Sequence, residues 1–181
     1  SDKTISFGGT ITGNSSSHAG VINVNDSTKN ANVGGKVQFN DTVTDNKIIQ
    51  KAGTLEFKDS GYATVNADNT VTVTSANTYG ANTARMVDVQ GGTLSVDNSV
   101  FANNTAGAIN IGTNGTASIT NGSVFYNSSA TNGGAIYNAG HITEISDATF
   151  VGNSSTGTDD SIFANGGGAI YNAGTIDLIS N

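Results

Sequence analysis

The chain has 181 residues, a length that fits one domain, and carries a net charge of −7 with only 7 Lys and Arg. That charge argues against a nucleic-acid partner, because no basic face is available to neutralise phosphates. No apolar run approaches the roughly 18 residues of a membrane-spanning helix, and the absence of Cys excludes a disulfide framework and a thiolate metal site.

The composition favours strands over helices. The apolar residues are mostly Val, Ile, Phe and Tyr, which are enriched in β-strands, and Thr adds to this preference. Abundant Asn and 24 Gly are typical of turns. We therefore expect an all-β chain.

In chain order, the first repeats are short and irregular. Residues 35–39 (GKVQF) and 53–57 (GTLEF) resemble each other at an 18-residue spacing, and residues 70–74 alternate Thr and Val. We interpret these segments as strands of short coils that occupy residues 1–85.

The second half repeats more regularly. A strand that opens with Gly recurs at residues 92–96, 115–119, 140–145 and 174–179, and the first three copies lead to Phe101, Phe125 and Phe150. Between these strands lie Gly-Ala-Ile segments around Ala108, Ala135 and Ala169, which are 27 and then 34 residues apart. Strands of constant length joined by turns of variable length are typical of a solenoid.

These repeats predict a right-handed parallel β-helix of about eight coils. One coil is too short to bury its own inner face, whereas stacked coils bury these faces and pair their backbone groups together. We expect a single domain over residues 1–181, with irregular coils in 1–85 and regular coils in 86–181.

Equivalent positions of the coils should form columns. The residues expected to repeat in this way are Phe101, Phe125 and Phe150; Ala108, Ala135 and Ala169; Ile136 and Ile170; and Asn138 and Asn172. The phenylalanines, alanines and isoleucines should point inward, and the two asparagines should form a side-chain ladder at a turn. Ile142 and Ile145 are three residues apart, which predicts a bulge or corner between them.

Two tetrapeptides in this half resemble a known family. G-G-A-I at residues 133–136 and 167–170 alternates with F-x-x-N at residues 101–104 and 150–153. This alternation resembles the repeats of polymorphic outer-membrane proteins of the chlamydial type and of related β-helical autotransporter passenger domains. Phe125 departs from the pattern, because Asn127 follows it after two residues rather than three.

The resemblance implies a function as well as a fold. It implies a bacterial virulence-type adhesin that is secreted or displayed at the cell surface, exported through an outer-membrane barrel carried by the parent chain. The expected partner is a protein or glycan on a host or neighbouring cell. No membrane span is expected within these 181 residues.

Parallel β-helices also include polysaccharide lyases and hydrolases, which need carboxylates converging on one face. The acids of the repeat align with uncharged residues: Asp97 with Asn121 and Ser146, and Asp147 with Asn98 and Gly122. We therefore expect no enzyme, no cofactor and no metal. The alternatives are a carbohydrate-active enzyme whose site lies elsewhere or in the irregular half, and an inert structural stalk.

One insertion is the candidate binding loop. The step from Phe150 to Ala169 is nine residues longer than the step from Phe125 to Ala135. It contains Asp159, Asp160 and Ser161, which we predict to contact a partner, since binding loops are often carried by rigid scaffolds. The alternative is an ordinary exposed loop. His18 and His141 are expected to be surface turn residues.

Overall fold

The computed structural model describes residues 4–7, 11–12, 22–24, 36–44, 48–78, 85–158 and 166–181. Within these ranges the chain forms strands and no helix, so none of the described residues belongs to a helix that could cross a membrane. The strands are β1 Thr4–Phe7, β2 Ile11–Thr12, β3 Ile22–Val24, β4 Lys36–Phe39, β5 Val43–Thr44, β6 Ile48–Gln50, β7 Thr54–Lys58, β8 Tyr62–Val65, β9 Val71–Ser75, β10 Val87–Val89, β11 Gly92–Asp97, β12 Val100–Ala102, β13 Ile109–Ile111, β14 Gly115–Thr120, β15 Val124–Tyr126, β16 Ser129–Ala130, β17 Ile136–Asn138, β18 His141–Ser146, β19 Thr149–Val151, β20 Ser154–Ser155, β21 Ile170–Asn172, β22 Thr175–Ile176 and β23 Ile179–Ser180.

Most of these strands stack in three parallel sheets, while β2 with β5 and β16 with β20 form two further short parallel pairs. The first sheet runs β1-β4-β7-β11-β14-β18-β22, and β23 also pairs with β18. The second sheet is β12-β15-β19, and the third runs from β3 through β6, β10, β13 and β17 to β21. Each level of the stack contributes one strand to the first sheet and then returns through the third. The described part of the chain is therefore the predicted parallel β-helix.

Strand β9 corrects one feature of the predicted first half. Residues 70–74 were expected to form a coil of the stack, but β9 pairs with β8 in an antiparallel hairpin outside the parallel sheets. The described strands of the first sheet make seven levels, of which β22 and β23 belong to the last, and the number of about eight coils stays a prediction for the whole chain. Alternation of Thr and Val predicts a half-buried strand, but it does not tell a coil from a hairpin.

The 18-residue spacing in the first half was interpreted correctly. Val37 pairs with Leu55 and Phe39 with Phe57, so residues 36–39 and 54–57 occupy successive levels of the first sheet. The expected bulge is also present. Ile142 pairs with Ala117 and Glu144 with Ser118, which leaves Thr143 as the extra residue of β18.

A ladder of five phenylalanine rings runs through the core. Successive centroids of Phe39, Phe57, Phe101, Phe125 and Phe150 are 4.9–5.3 Å apart. Three of the four ring pairs stack, whereas Phe57 and Phe101 meet edge to face at 70°. The change occurs where the ladder passes from the first sheet, which holds Phe57, to the second, which holds Phe101. Such ring pairs add about 0.5–1.5 kcal/mol each beyond the burial of their area.

The alanine and isoleucine columns lie where the repeat predicted them. Ala108, Ala135 and Ile136 are fully buried, and the Ala135 N–H donates to the Ala169 carbonyl oxygen at 2.9 Å. Ile136 pairs with Ile170 on the level above. Ala169 and Ile170 belong to the same columns but are half-buried, because only the short strands β22 and β23 follow them among the described residues.

The register makes a prediction about two neighbouring residues of β17. Ile136→Asp should lower the free energy of unfolding by about 3–5 kcal/mol, because it leaves an uncompensated charge in the core. Tyr137→Ser should cost only about 1–2 kcal/mol, since Tyr137 points outward and loses its stacking on Tyr171 and its contact with the Arg85 guanidinium. Urea denaturation followed by circular dichroism measures both variants. Equal losses would show that the assigned inward and outward faces are wrong.

Candidate functional site

The predicted contact residues Asp159, Asp160 and Ser161 lie outside the described residues. The chain leaves for this segment near Gly157, whose N–H donates to the Thr131 carbonyl oxygen at 3.2 Å. It returns at Gly166, whose N–H donates to Asn132 Oδ1 at 3.2 Å. Both flanks of the insertion are therefore anchored beside each other on the level below, and the contact role of the segment stays a prediction.

The outward face of the first sheet is a regular array of polar side chains. One column contains Thr54, Thr93 and Thr116 in register. The next outward column, two residues further along each strand, contains Glu56, Ser95 and Ser118. Neighbouring levels of a sheet are about 4.8 Å apart, so the hydroxyls recur at that interval along the stack.

His141 continues the threonine column and corrects an expectation. His18 and His141 were predicted to be surface turn residues; His18 lies outside the described residues. His141 is at the surface but begins β18, where it pairs with Thr116 below and Thr175 above. Its Nε2 lies 2.7 Å from a carboxylate oxygen of Asp177. No local sequence pattern indicates this pair, because the two residues are 36 positions apart and meet only when the coils stack.

A second array lies at the turns that follow the strands of the first sheet. Asp59, Asn98, Asn121 and Asp147 all have positive φ, between 45° and 58°. Asn and Asp tolerate this left-handed region better than other residues with a side chain, which explains their recurrence at this corner. Asn98 Nδ2 donates to Asp59 Oδ1 at 2.7 Å, which joins adjacent levels.

The positions of these acids correct the sequence alignment by one residue at β14. Asp97 pairs with Thr120, not with Asn121, and Ser146 is level with both. Asn121 is the first residue after β14, and it lies between Asn98, the first residue after β11, and Asp147, the first residue after β18. Asn121 Nδ2 donates diagonally to Asp97 Oδ1 at 2.7 Å, and Lys58 Nζ lies 3.7 Å from the same carboxylate.

The F-x-x-N motif has a structural explanation. The third residue after each phenylalanine, Asn104, Ser128 or Asn153, supplies a side chain that bonds to the backbone at the corner after the second sheet. Asn104 N–H donates to Ser128 Oγ at 3.3 Å, and Ser128 N–H donates to Asn153 Oδ1 at 3.0 Å. Ser128 thus replaces asparagine after Phe125, so the apparent departure from the motif keeps the same bonding role.

The predicted asparagine ladder is present. Asn138 is fully buried, and its Nδ2 donates to Asn172 Oδ1 at 2.7 Å and to the Thr175 carbonyl oxygen at 3.0 Å. The Gly140 N–H donates to Asn138 Oδ1 at 3.1 Å. Gln50, also fully buried, makes equivalent bonds to the carbonyl oxygens of Gly53 and Thr93. This column holds the turn that leads back to the first sheet.

Arg85 is a partly buried cation that no local sequence pattern indicates. Its guanidinium donates to the carbonyl oxygens of Asn132 and Gly133, the latter at 2.8 Å, and lies 5.7 Å from the ring centroid of Tyr137. Burial lowers the pKa of the Arg85 guanidinium to about 10, so it remains charged at neutral pH. These bonds fix the turn before Ala135, where Gly133 has a φ of 59°.

The chemistry of these arrays is hydrogen bonding. Within the described ranges no group of three or more His, Cys, Asp or Glu side chains is placed to hold a metal ion. Asp59, Asp97 and Asp177 each have a partner on an adjacent level. The outward face of the first sheet and the turns that follow its strands therefore present hydroxyls, amides and paired carboxylates, groups that can form hydrogen bonds with a polar partner.

Comparison with known proteins adds no family to this description. No protein-family model matches the chain, and neither the curated proteins nor the solved structures contain a match.

The asparagine ladder makes a prediction with a matched control. Asn138→Ala should lower the free energy of unfolding by about 1–3 kcal/mol, because it leaves the Gly140 N–H and the Thr175 carbonyl oxygen, both in partly buried bonds, without this partner. Asn172→Ala removes the same inter-asparagine bond, but Asn172 is exposed, so its loss should be smaller. Urea denaturation of the two variants measures the difference. A larger loss for Asn172→Ala would contradict the capping role of Asn138.

Proposed function

We propose that this chain is part of a bacterial surface-displayed adhesin, a passenger domain that presents an elongated polar surface to a partner on a host or neighbouring cell. The observation that carries the proposal is the stack itself. Seven levels stack in the first sheet among the described residues, and the outward positions of that sheet are polar, chiefly Thr and Ser together with Glu, Asp and Lys.

The columns of polar side chains at the turns support a role in presenting a binding surface to a partner. Polar side chains at two corners are held by bonds between levels, at 2.7 Å from Asn98 to Asp59 and at 3.0 Å from Asn127 to Asn103. Side chains fixed in this way lose little conformational entropy when a partner binds, which favours affinity. The alternating G-G-A-I and F-x-x-N motifs support the same assignment through their resemblance to outer-membrane and autotransporter repeats.

Cell binding tests the proposal directly. Fluorescent beads coated with the purified chain should bind epithelial cells or bacterial cells saturably, and soluble chain should compete. Beads coated with albumin, or with the chain after it has been unfolded in urea, serve as controls. Absence of saturable binding to either cell type would contradict the proposal. Release of unsaturated or reducing ends from acidic polysaccharides would instead support the alternative function, a carbohydrate-active enzyme.

The candidate binding loop has its own test. Thr156 and Gly157 donate backbone hydrogen bonds to Ala130 and Thr131, so a deletion should begin after them. Replacing residues 158–161 by Gly-Ser should reduce bead binding while the melting temperature barely changes, since shortening a loop alters its closure entropy by less than about 1 kcal/mol. Unchanged binding would place the partner surface elsewhere on the stack.

A further inference from the structure

The hairpin formed by β8 and β9 is an insertion at a corner of the stack. On the next level, Ser99 is followed after two residues by Phe101 of the second sheet. On the level of the hairpin, Ser60 is the equivalent of Ser99 and Asn77 pairs with Phe101, but the two are 17 residues apart. Residues 61–76 thus leave the stack and return to it without interrupting the parallel pairing.

The hairpin is fixed against the stack by a small apolar cluster of its own. Its inward side chains Ala63, Val71 and Val73 pack on the outward face of the second sheet, at Val100, Ala102 and Val124. The cluster is separate from the main core of the β-helix. An outward-facing apolar sheet is thereby covered, and the opposite face of the hairpin is held in one orientation.

The tip of the hairpin is also ordered by hydrogen bonds. The Asn66 N–H donates to the Thr70 carbonyl oxygen at 2.8 Å, and the Asp68 carboxylate accepts from the hydroxyl of Thr70 at 2.6 Å. Bonds from the Thr70 hydroxyl and backbone lower the pKa of the Asp68 carboxyl. The hairpin is therefore a preformed surface, which avoids part of the entropy cost of binding.

The outward face of the hairpin combines one aromatic ring with hydroxyls. Tyr62 is 60% exposed, and Thr64, Thr72 and Thr74 are exposed beside it. Thr64 and Thr72 are cross-strand partners, so their side chains lie next to each other. An exposed tyrosine presents an apolar ring face, and a threonine hydroxyl both donates and accepts hydrogen bonds.

The charge of the hairpin restricts its ligand. Residues 60–78 contain no Lys, Arg or His, and Asp68 is their one acid. An anionic ligand would find no cation on the hairpin. A protein partner usually requires about 800 Å² of surface with aromatic or Arg anchors in its centre, and one tyrosine among three threonines does not supply that.

We propose that the outward face of this hairpin binds a neutral glycan. The ring of Tyr62 packs against the C–H face of a sugar, while the hydroxyls of Thr64, Thr72 and Thr74 exchange hydrogen bonds with the sugar hydroxyls. This inference rests on the proposed function, since it names the partner class of the adhesive surface.

The test compares two substitutions at Tyr62 on a glycan array. The array carries neutral galactose-, glucose- and N-acetylhexosamine-terminated oligosaccharides together with their sialylated and sulfated forms. The chain should bind one or more neutral members, and Tyr62→Ala should weaken that binding about tenfold, which equals about 1.4 kcal/mol. Tyr62→Phe keeps the ring and should bind within a few-fold of the original chain.

A control substitution distinguishes stacking on the sugar from non-specific binding by an exposed apolar side chain. Leu178 is a similarly exposed apolar side chain, 49% accessible, on the last level and far along the chain from the hairpin. Leu178→Ser should leave glycan binding unchanged, and thermal melts should match among all variants. Thr64→Val, which removes a hydroxyl with little change of shape, should weaken binding several-fold.

Each other outcome overturns the inference. Binding confined to acidic glycans, or equal binding by Tyr62→Ala and the original chain, excludes the neutral-glycan role of the hairpin. If coated beads bind cells but no glycan is bound, the hairpin inference fails while the proposed function stands. If neither cells nor glycans are bound, both fail.

Discussion

Backbone pairing between levels governs every other feature of this protein. A single coil leaves the N–H and C=O groups along its strands without partners and its apolar side chains open above and below. Parallel pairing in register satisfies the backbone and places each residue on its counterpart, as Leu94 lies on Leu55 and beneath Ala117. Because side chains of one kind pack well on each other, the register turns a repeated sequence into the continuous columns of the core.

The polar groups at the corners depend on the same register. A corner requires backbone in the left-handed region, and it leaves carbonyl and N–H groups that no strand satisfies. Asn and Asp meet the first requirement at Asn98 and Asp147, and buried side chains such as Asn104 and Asn138 meet the second. The abundance of Asn is therefore a structural property of the corners first, and its presence on the surface follows from that.

Much of the stack can be predicted from the sequence, because its evidence is local. Gly-led strands, the Phe and Ala columns and the 18-residue step between Val37 and Leu55 are all patterns of short segments. The bulge at Thr143 was visible in the spacing of Ile142 and Ile145.

What the sequence could not provide is contact between distant segments. The alternation in residues 70–74 fits a coil or a hairpin equally well, and only the partner strand decides between them. The one-residue error at β14 arose because the turn between β14 and Phe125 is one residue longer than the turn between β11 and Phe101, so an alignment on the phenylalanines shifts the strand. Arg85, which bonds to residues 47 and 48 positions away, and His141, which meets Asp177, carry no local pattern at all.

The direction of the inter-level hydrogen bonds has a mechanical consequence. These bonds run along the axis of the stack, and the strands lie across it, so tension between the two ends loads the bonds of one level at a time. The levels would then separate from the stack one at a time, and each would release the chain that joins equivalent residues of neighbouring coils. That length varies from the 18 residues between Val37 and Leu55 to the 39 between Leu55 and Leu94, where the hairpin is inserted. At about 3.4 Å per extended residue, each step would lengthen the molecule by roughly 60–130 Å. A pull would therefore lengthen the molecule in unequal increments, the largest of them set by the coil that carries the hairpin.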